Sequence, residues 1–173
     1  LNSMISRISI LVFDQVEVLD FAGPFEVFHT ARNYWPGPAP TVELVAARHQ
    51  HLNTVGGMRV WADRTYHDCL QTDLLVVPGG AGTRPLLEDK GLINWINRQT
   101  RQARLTLSVC TGALLLAKAR VLEGLSATTH HSALSELRNL APQTRVYENK
   151  RFVDNGRIIT AAGISAGIDA ALY

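Results

Sequence analysis

The sequence predicts an α/β fold in which a mainly parallel central sheet is covered by helices on both faces. Short apolar runs of strand length alternate along the chain with stretches of helix-forming residues. One predicted strand, residues 105–109, turns directly into a helix at Cys110. In an open parallel sheet, ligands bind beyond the carboxyl ends of the strands, so we expect the chemistry of this chain at that edge.

The individual elements follow from the residue pattern. Strands are predicted where apolar or β-branched residues run together, at 8–13, 41–46, 74–77, 105–109 and 127–130. Helices are predicted where helix formers dominate. They start at Pro24, span 92–101, 112–124 (ended by Gly124) and 132–140, and a last helix starts after 163, of which the sequence contains only about two turns. Glycine turns predict two hairpins, at 55–61 and 152–160.

Length, charge and cysteine content narrow the class of protein. The chain has 173 residues, 46% of them hydrophobic, which fits one domain over residues 4–173; residues 1–3 precede Met4 and are interpreted as a cloning remnant. The net charge is +2 with no basic cluster, which argues against binding nucleic acid or an anionic membrane. No apolar run reaches the roughly 18 residues of a membrane span. Two cysteines and no signal peptide predict a cytoplasmic protein.

Cys110 stands at the junction of a strand and a helix, and it is the predicted nucleophile. Such a junction places the side chain at the carboxyl edge of the sheet and over the helix amino terminus, which favours a thiolate and a lowered pKa. Gly112 suits the close packing of a nucleophile elbow. The alternative is that Cys110 is a small buried hydrophobic residue. Cys69 lacks this context and is predicted to be structural.

Asp20 is the predicted acid/base partner. It lies between Leu19 and Phe21, where a charge is costly unless it is hydrogen-bonded or used. A carboxyl facing a thiolate stays partly protonated and can exchange a proton near neutral pH. The alternative is that Asp20 caps the helix predicted to start at Pro24. Glu17 is interpreted either as a solvated loop residue or as a residue that reaches the site.

Two further groups of residues complete the candidate site. The backbone N–H groups of Gly80 and Thr111 are predicted to form an anion hole, with Gly79 allowing close approach; the alternative is an ordinary strand-to-helix turn. His130 is a third catalytic candidate. Adjacent side chains on a strand point to opposite faces, so we expect His130 or His131 to face Cys110 and the pair not to share a metal ion. No metal site or cofactor is predicted.

Five motifs, taken together, resemble the ThiJ/PfpI superfamily, a branch of the class I glutamine amidotransferase-like proteins. They are 19–27 (LDFAGPFEV), 77–80 (VPGG), 108–112 (SVCTG), 127–130 (ATTH) and 163–169 (GISAGID), in the order the family has them. The resemblance implies a flavodoxin-like three-layer sandwich with a nucleophile elbow. It also implies a homodimer, for which Trp35 and Trp61 are the apolar surface candidates.

Within the superfamily the pattern is most similar to two groups. One is the isocyanide hydratases, which add water to isocyanides to give N-formamides; the other is the amino-terminal domain of AraC-type regulators. The first implies a cofactor-free hydro-lyase with Cys110 as nucleophile, Asp20 as acid/base and Thr111 hydrogen-bonding nearby. The second implies a ligand sensor, and a glyoxalase or redox-stress protein is a third alternative. Peptidase-type members have histidine after the cysteine, where this chain has Thr111.

Overall fold

The computed structural model describes residues 5–48 and 51–173. Its strands are β1 (Arg7–Leu11), β2 (Thr41–Ala46), β3 (His51–Asn53), β4 (Arg59–Trp61), β5 (Arg64–Thr65), β6 (Leu74–Val77), β7 (Leu105–Val109), β8 (Ser126–Ala127), β9 (Arg145–Val146), β10 (Phe152–Asp154) and β11 (Ile158–Ala161). Its α-helices are α1 (Val18–Ala31), α2 (Thr83–Leu86), α3 (Lys90–Gln102), α4 (Gly112–Lys118), α5 (Leu134–Leu140) and α6 (Ile164–Leu172). The predicted remnant at residues 1–3 lies outside the described residues.

The central sheet is mainly parallel, as predicted. Within the described ranges it has seven strands in the order β10-β11-β7-β6-β1-β2-β5, and only the edge strand β10 runs antiparallel to its neighbour. The predicted hairpin of β10 with β11 is present, and the glycine turn at 55–58 also joins two antiparallel strands, although the first of them, β3, lies before the predicted range of 55–61. The central strands β1, β6 and β7 are almost wholly buried, because they are covered on both faces, and β6 is entirely apolar.

The helices form two layers, one on each side of the sheet. Helices α1 and α6 pack against each other, and α6 rests on β7, where Gly167 lies close to Val109. Helix α4 packs on β6 and β7 and contacts α3 and α5. Two helical layers around a parallel sheet make the flavodoxin-like three-layer sandwich that the sequence predicts. No helix in the described part of the chain is long and apolar enough to cross a membrane.

The largest difference from the prediction is the start of the first helix. Helix α1 begins at Val18 rather than at Pro24, which is buried within it. Proline inside a helix removes one N–H donor, and here the packing of α1 against α6 outweighs that loss. The consequence is functional, because Asp20 lies in the first turn of a helix instead of in a loop.

Two smaller predictions at chain turns are wrong. Helix α4 ends at Lys118, where Arg120 takes a positive φ of 59°, so Gly124 does not terminate it. The strand predicted at 127–130 is reduced to Ser126–Ala127, and His130 instead begins a short 3-10 turn. The elements β5, β9 and α2 span only two to four residues, too few to show a period in the sequence.

Candidate active site

Cys110 occupies a nucleophile elbow between β7 and α4. Its φ is 55°, a left-handed conformation that is unusual for a residue with a side chain. A Cβ atom at Gly112 would lie 2.0 Å from the carbonyl oxygen of Val77, so only glycine allows this turn. The Cys110 N–H donates to the Ala161 carbonyl at 3.0 Å, and the Thr129 hydroxyl donates to the Cys110 carbonyl at 2.8 Å. The backbone of the elbow is therefore fixed from both sides.

The Asp20 side chain lies beside the thiol and is completely buried. Its Oδ2 accepts a hydrogen bond from the Gly79 N–H at 3.1 Å, while Oδ1 has no well-aligned donor among the described residues. The carboxyl interacts with the Cys110 side chain. The residue before the helix is Glu17, and Pro24 lies a turn beyond Asp20, so the alternative of Asp20 as a cap for a helix start at Pro24 is wrong.

The surroundings of Asp20 raise its pKa to about 7 from the usual 3.8. Burial is the main cause, and the nearby charge of Glu17 adds to it. The hydrogen bonds from Gly79 and Cys110 act in the opposite direction because they favour the carboxylate. A carboxyl that titrates near neutral pH is suited to both accepting and donating a proton, as the sequence predicts, although burial rather than a thiolate charge is the main reason.

The pKa of Cys110 is raised to about 12, which contradicts the prediction of a lowered value. Burial of the sulfur is the main cause, followed by the negative charge of Asp20; Glu17 adds a smaller contribution. The Thr111 N–H at the start of α4 lowers the pKa, but by less than burial or the charge of Asp20 raises it. The proton of the pair therefore rests on sulfur, with a carboxyl next to it that can receive it.

The backbone N–H groups predicted to form an anion hole are already hydrogen-bonded. Gly79 donates to Asp20, and Gly80 donates to the Thr111 hydroxyl at 3.0 Å. The Thr111 N–H is directed at the sulfur of Cys110. The prediction of an open hole at Gly80 and Thr111 is therefore wrong for this structure, because these groups face the side chains packed directly above them.

The loop after β6 packs against the elbow, and threonine hydroxyls connect the two. A Cβ atom at Gly79 would lie 2.5 Å from the Thr111 nitrogen, so a larger residue would push the loop away. Thr83 is completely buried; its hydroxyl donates to the Gly80 carbonyl at 2.8 Å and lies 3.2 Å from the Thr111 hydroxyl. Thr83 and Thr129 were not predicted as site residues. The only signal for them in the sequence is that each adjoins a predicted site segment, the glycine loop and His130.

Glu17 reaches the site electrostatically. It is partly buried just before α1, and its charge contributes to raising the pKa of both Asp20 and Cys110. Its own N–H donates to the Gly79 carbonyl at 2.9 Å. Of the two interpretations of Glu17, the structure therefore favours the one in which it reaches the site.

His130 is not brought to the thiol. Its Nδ1 lies 2.8 Å from the Ser132 hydroxyl, and its ring lies 4.1 Å from the ring of His131. Burial, His131 and Arg84 lower the pKa of His130, and among the described residues neither a hydrogen bond nor a charge interaction joins it to Cys110. The expectation that the two histidines point to opposite faces is wrong, because the chain leaves the strand before them and enters a 3-10 turn.

A cavity of about 510 Å³ lies at the carboxyl edge of the sheet; neither Cys110 nor Asp20 lines it, and Thr129 connects it to the elbow. Thr129, which is bonded to the Cys110 carbonyl, forms part of its wall together with His130, Ala162 and Ile164. Its volume suits a small organic molecule. No group of three or more histidine, cysteine, aspartate or glutamate side chains in the described ranges is arranged to hold a metal ion.

The fold and the site together define an α/β protein with a flavodoxin-like sandwich, in which a cysteine at a strand-to-helix junction lies beside a buried carboxyl. The chain belongs to the DJ-1/PfpI family, whose model matches residues 6–172.

Relatives within and around this family include an enzyme and a regulator. The chain is 38% identical over 172 residues to an isonitrile hydratase of Pseudomonas putida, covering 98% of this chain and 70% of that protein. It is 33% identical over 117 residues to the HTH-type transcriptional regulator CdhR of Pseudomonas aeruginosa, covering 67% of this chain and 34% of that one. A THiJ/PfpI family protein from Pseudomonas syringae has a similar structure, with a TM-score of 0.87 and 26% identity over 98% of this chain and 67% of that chain.

Proposed function

We propose that this protein is a cofactor-free, cysteine-dependent hydratase that adds water to an isocyanide and releases an N-formamide. The observation that carries the proposal is the pair formed by the Cys110 thiol and the buried Asp20 carboxyl, whose pKa is near 7. Similarity to an isonitrile hydratase over almost the whole chain supports the same reaction. Isocyanide hydration needs a nucleophile for the terminal carbon and a group that moves protons twice, and this pair supplies both.

In the first step, a lone pair of the Cys110 sulfur forms a bond to the isocyanide carbon while the thiol proton passes to Asp20. The Asp20 carboxylic acid then donates that proton to the same carbon, which gives a thioimidate, S–CH=N–R, and returns Asp20 to the carboxylate. A raised thiol pKa fits this order of events, because the proton leaves sulfur only as the new bond forms. Asp20 acts as general base and then as general acid.

In the second step, Asp20 takes a proton from water as the water oxygen attacks the thioimidate carbon, and the nitrogen receives that proton. The tetrahedral intermediate then breaks its C–S bond, forms the formyl C=O bond, and passes the hydroxyl proton through Asp20 to the departing sulfur. One isocyanide and one water give one N-formamide, and the Cys110 thiol is restored. The Gly79 N–H holds the shuttling carboxyl in place through Oδ2, which leaves Oδ1 free for the proton.

The hydroxyl network fixes the elbow for this chemistry. Thr111, with its hydroxyl bonded to Gly80, holds the loop after β6 against the start of α4. We propose that the organic group of the isocyanide occupies the adjoining cavity, where His130 and Ile164 form part of the wall. In this proposal His130 contacts the substrate and does not move protons.

The experiment that tests the proposal is an assay of the purified protein against alkyl and aryl isocyanides, with 2-oxoaldehydes as comparison substrates. We expect formamide to appear from at least one isocyanide, detected by NMR or mass spectrometry. Consumption of 2-oxoaldehydes with no formamide from any isocyanide would instead support the glyoxalase alternative. The redox-sensor alternative is weakened by the high pKa of Cys110, because a protonated thiol oxidises slowly.

A ligand-sensing role is the second candidate, and the similarity to a transcriptional regulator favours it. A sensor would bind a small molecule in the cavity beside Cys110 without converting it. Unchanged isocyanide after long incubation, together with saturable binding that shifts the thermal unfolding temperature, would select the sensor over the enzyme.

Glu17→Gln is expected to move the acid limb of the pH–rate profile to lower pH. Glu17 raises the pKa of Asp20, so its neutralisation lowers that pKa and leaves the general base ionised in more acidic solution. The measurement is kcat/KM for formamide formation between about pH 4 and pH 9. Glu136→Gln, which removes a carboxylate bonded to Arg84 on the surface, is the control and should leave the limb in place. An unchanged limb in Glu17→Gln would show that Glu17 does not act on Asp20.

We expect the protein to form a homodimer through the face around the active-site edge. Leu19 at the start of α1 is 49% exposed and Ile164 at the start of α6 is 38% exposed, and both helices begin beside the site. Trp61, one of the two predicted surface tryptophans, is 53% exposed, whereas Trp35 is partly buried. Light scattering at micromolar concentration should give twice the 19.0 kDa chain mass. A monomer mass across a concentration series would contradict this expectation.

A further inference from the structure

A second cavity, of about 460 Å³, lies at the opposite edge of the sheet from Cys110. It sits where α3 ends and β11 begins. Ile158 in its wall pairs with Thr106 on β7, and Thr106 precedes Cys110 along the same strand by about 13 Å. The cavity is therefore separate from the elbow, and the proposed hydration reaction makes no use of it.

Three arginines line this second cavity: Arg101, Arg120 and Arg157. Each guanidinium has five N–H donors, and the hydrogen bonds found in the described ranges use only some of them. Arg101 donates through Nε to Asn97 at 3.1 Å, and Arg120 donates through Nε to Glu123 at 2.8 Å. The remaining donors are available to a ligand.

The negative groups near the arginines only partly balance their charge. One nitrogen of Arg157 donates to the carbonyls of Arg101 and Ala103 at 3.0 and 2.7 Å, which satisfies the negative carboxyl end of α3. Glu123 is the one carboxylate bonded to any of the three arginines in the part of the chain that the structure describes. Three positive groups thus share one carboxylate, which leaves the cavity suited to an anion.

The rest of the wall is mainly apolar; its two polar residues are Thr100 and Asn155, and the Asn155 amide already donates to the Ser126 and Ile158 carbonyls. Val121, Leu125 and Ile158 are partly buried and give the cavity an apolar surface. Thr100 on α3 also lines it, is only 5% exposed, and has a hydroxyl without a hydrogen-bond partner among the described residues. A buried hydroxyl left unpaired is unfavourable, so a hydrogen-bond partner inside the cavity would stabilise it.

We propose that this cavity binds a small organic oxyanion, a molecule with an apolar body and a terminal phosphate or carboxylate. The guanidinium groups bind the oxyanion through charge-assisted hydrogen bonds. The apolar wall covers the body, and the Thr100 hydroxyl bonds to a polar atom of the ligand. The volume lies in the range usual for small-molecule sites.

The test uses calorimetry and amide chemical shifts with four probes: phenyl phosphate, phenylacetate, inorganic phosphate and benzyl alcohol. We expect phenyl phosphate or phenylacetate, or both, to bind and to shift the amides of Thr100, Val121 and Ile158. The stronger of the two identifies the preferred anion. Inorganic phosphate and benzyl alcohol should bind at least about tenfold more weakly, because each lacks half of the recognised chemistry. Equal binding of inorganic phosphate would mean an adventitious ion only and would overturn the proposal.

Four variants, two of them controls, make the assignment specific. Arg120→Gln should weaken binding about tenfold, while Arg98→Gln, the same change on an exposed position of α3 outside the cavity, should not. Thr100→Val keeps the side-chain shape and should also weaken binding without loss of the fold. Cys110→Ser should bind as the wild type does, so this result is independent of the hydratase proposal. No binding of either organic anion at millimolar concentration, or equal losses in Arg120→Gln and Arg98→Gln, would overturn the proposal.

Discussion

Cys110→Ser is expected to reduce formamide production by at least about 10⁴-fold, because loss of a nucleophile removes the covalent route. A serine hydroxyl is far less acidic than a thiol and is a weaker nucleophile. Serine tolerates the same space, so the elbow with its φ of 55° should be retained. The measurement is formamide produced per unit time at saturating isocyanide, with circular dichroism as the check of folding.

Cys69→Ser is the matched control. Cys69 is partly buried, and its sulfur lies near the Ser9 hydroxyl and the Leu70 carbonyl, away from the elbow. We expect this variant to keep wild-type turnover. Turnover by Cys110→Ser at a rate within about tenfold of the wild type would mean that sulfur does not attack the substrate.

Asp20→Asn is expected to reduce kcat/KM by roughly 10²–10⁴-fold, the usual contribution of general acid–base catalysis. Asparagine keeps the shape of the side chain, and its carbonyl oxygen can still accept the hydrogen bond from Gly79. It cannot receive the thiol proton or deliver one to the substrate. Wild-type kinetics in this variant would remove Asp20 from the mechanism.

Asp20→Asn should increase the free energy of unfolding at high pH, although it lowers activity. The pKa of Asp20 is raised on folding from 3.8 to about 7, so its contribution to stability is fully present below pH 3.8 and is lost as the pH rises through 7. Above pH 7 the folded wild type buries a carboxylate, which Asp20→Asn removes. We expect the variant to be more stable there by up to about 4 kcal/mol, and the difference to vanish near pH 3.5. Urea unfolding at pH 3.5 and pH 8.5 measures both values.

The parts of the fold that depend on local pattern could be predicted from the sequence. The change from alternating residues before Cys110 to helix formers after Gly112 predicts the elbow, and the buried apolar runs predict the parallel sheet. The helix that carries Asp20 could not be bounded in this way. Pro24 is a strong signal for a helix start, and only the packing of α1 on α6 shows that the helix begins earlier.

The electrostatics of the site depend on distances in space, which the sequence does not contain. The lowering of the Cys110 pKa by the helix amino terminus can be predicted from the local sequence. Burial of the sulfur and the nearby carboxylates raise the pKa by more, so the net shift is upward. The prediction of an anion hole was wrong for a similar reason. The Gly80 N–H donates a hydrogen bond to the Thr111 hydroxyl, which comes from a different part of the chain. His130 was misplaced because a short 3-10 turn replaces the end of a strand.

The central claim is that Asp20 and Cys110 share a proton that rests on sulfur, and the rate of Cys110 alkylation against pH tests it most directly. The charge of Asp20 raises the thiol pKa, so its removal should lower that pKa even though it stops catalysis. Iodoacetamide labelling of Cys110, followed by peptide mass, should therefore rise at lower pH in Asp20→Asn than in the wild type, with Cys69 labelling in the same samples as the internal control. An unchanged profile in Asp20→Asn, or one moved to higher pH, would contradict the shared proton and with it the proposed mechanism.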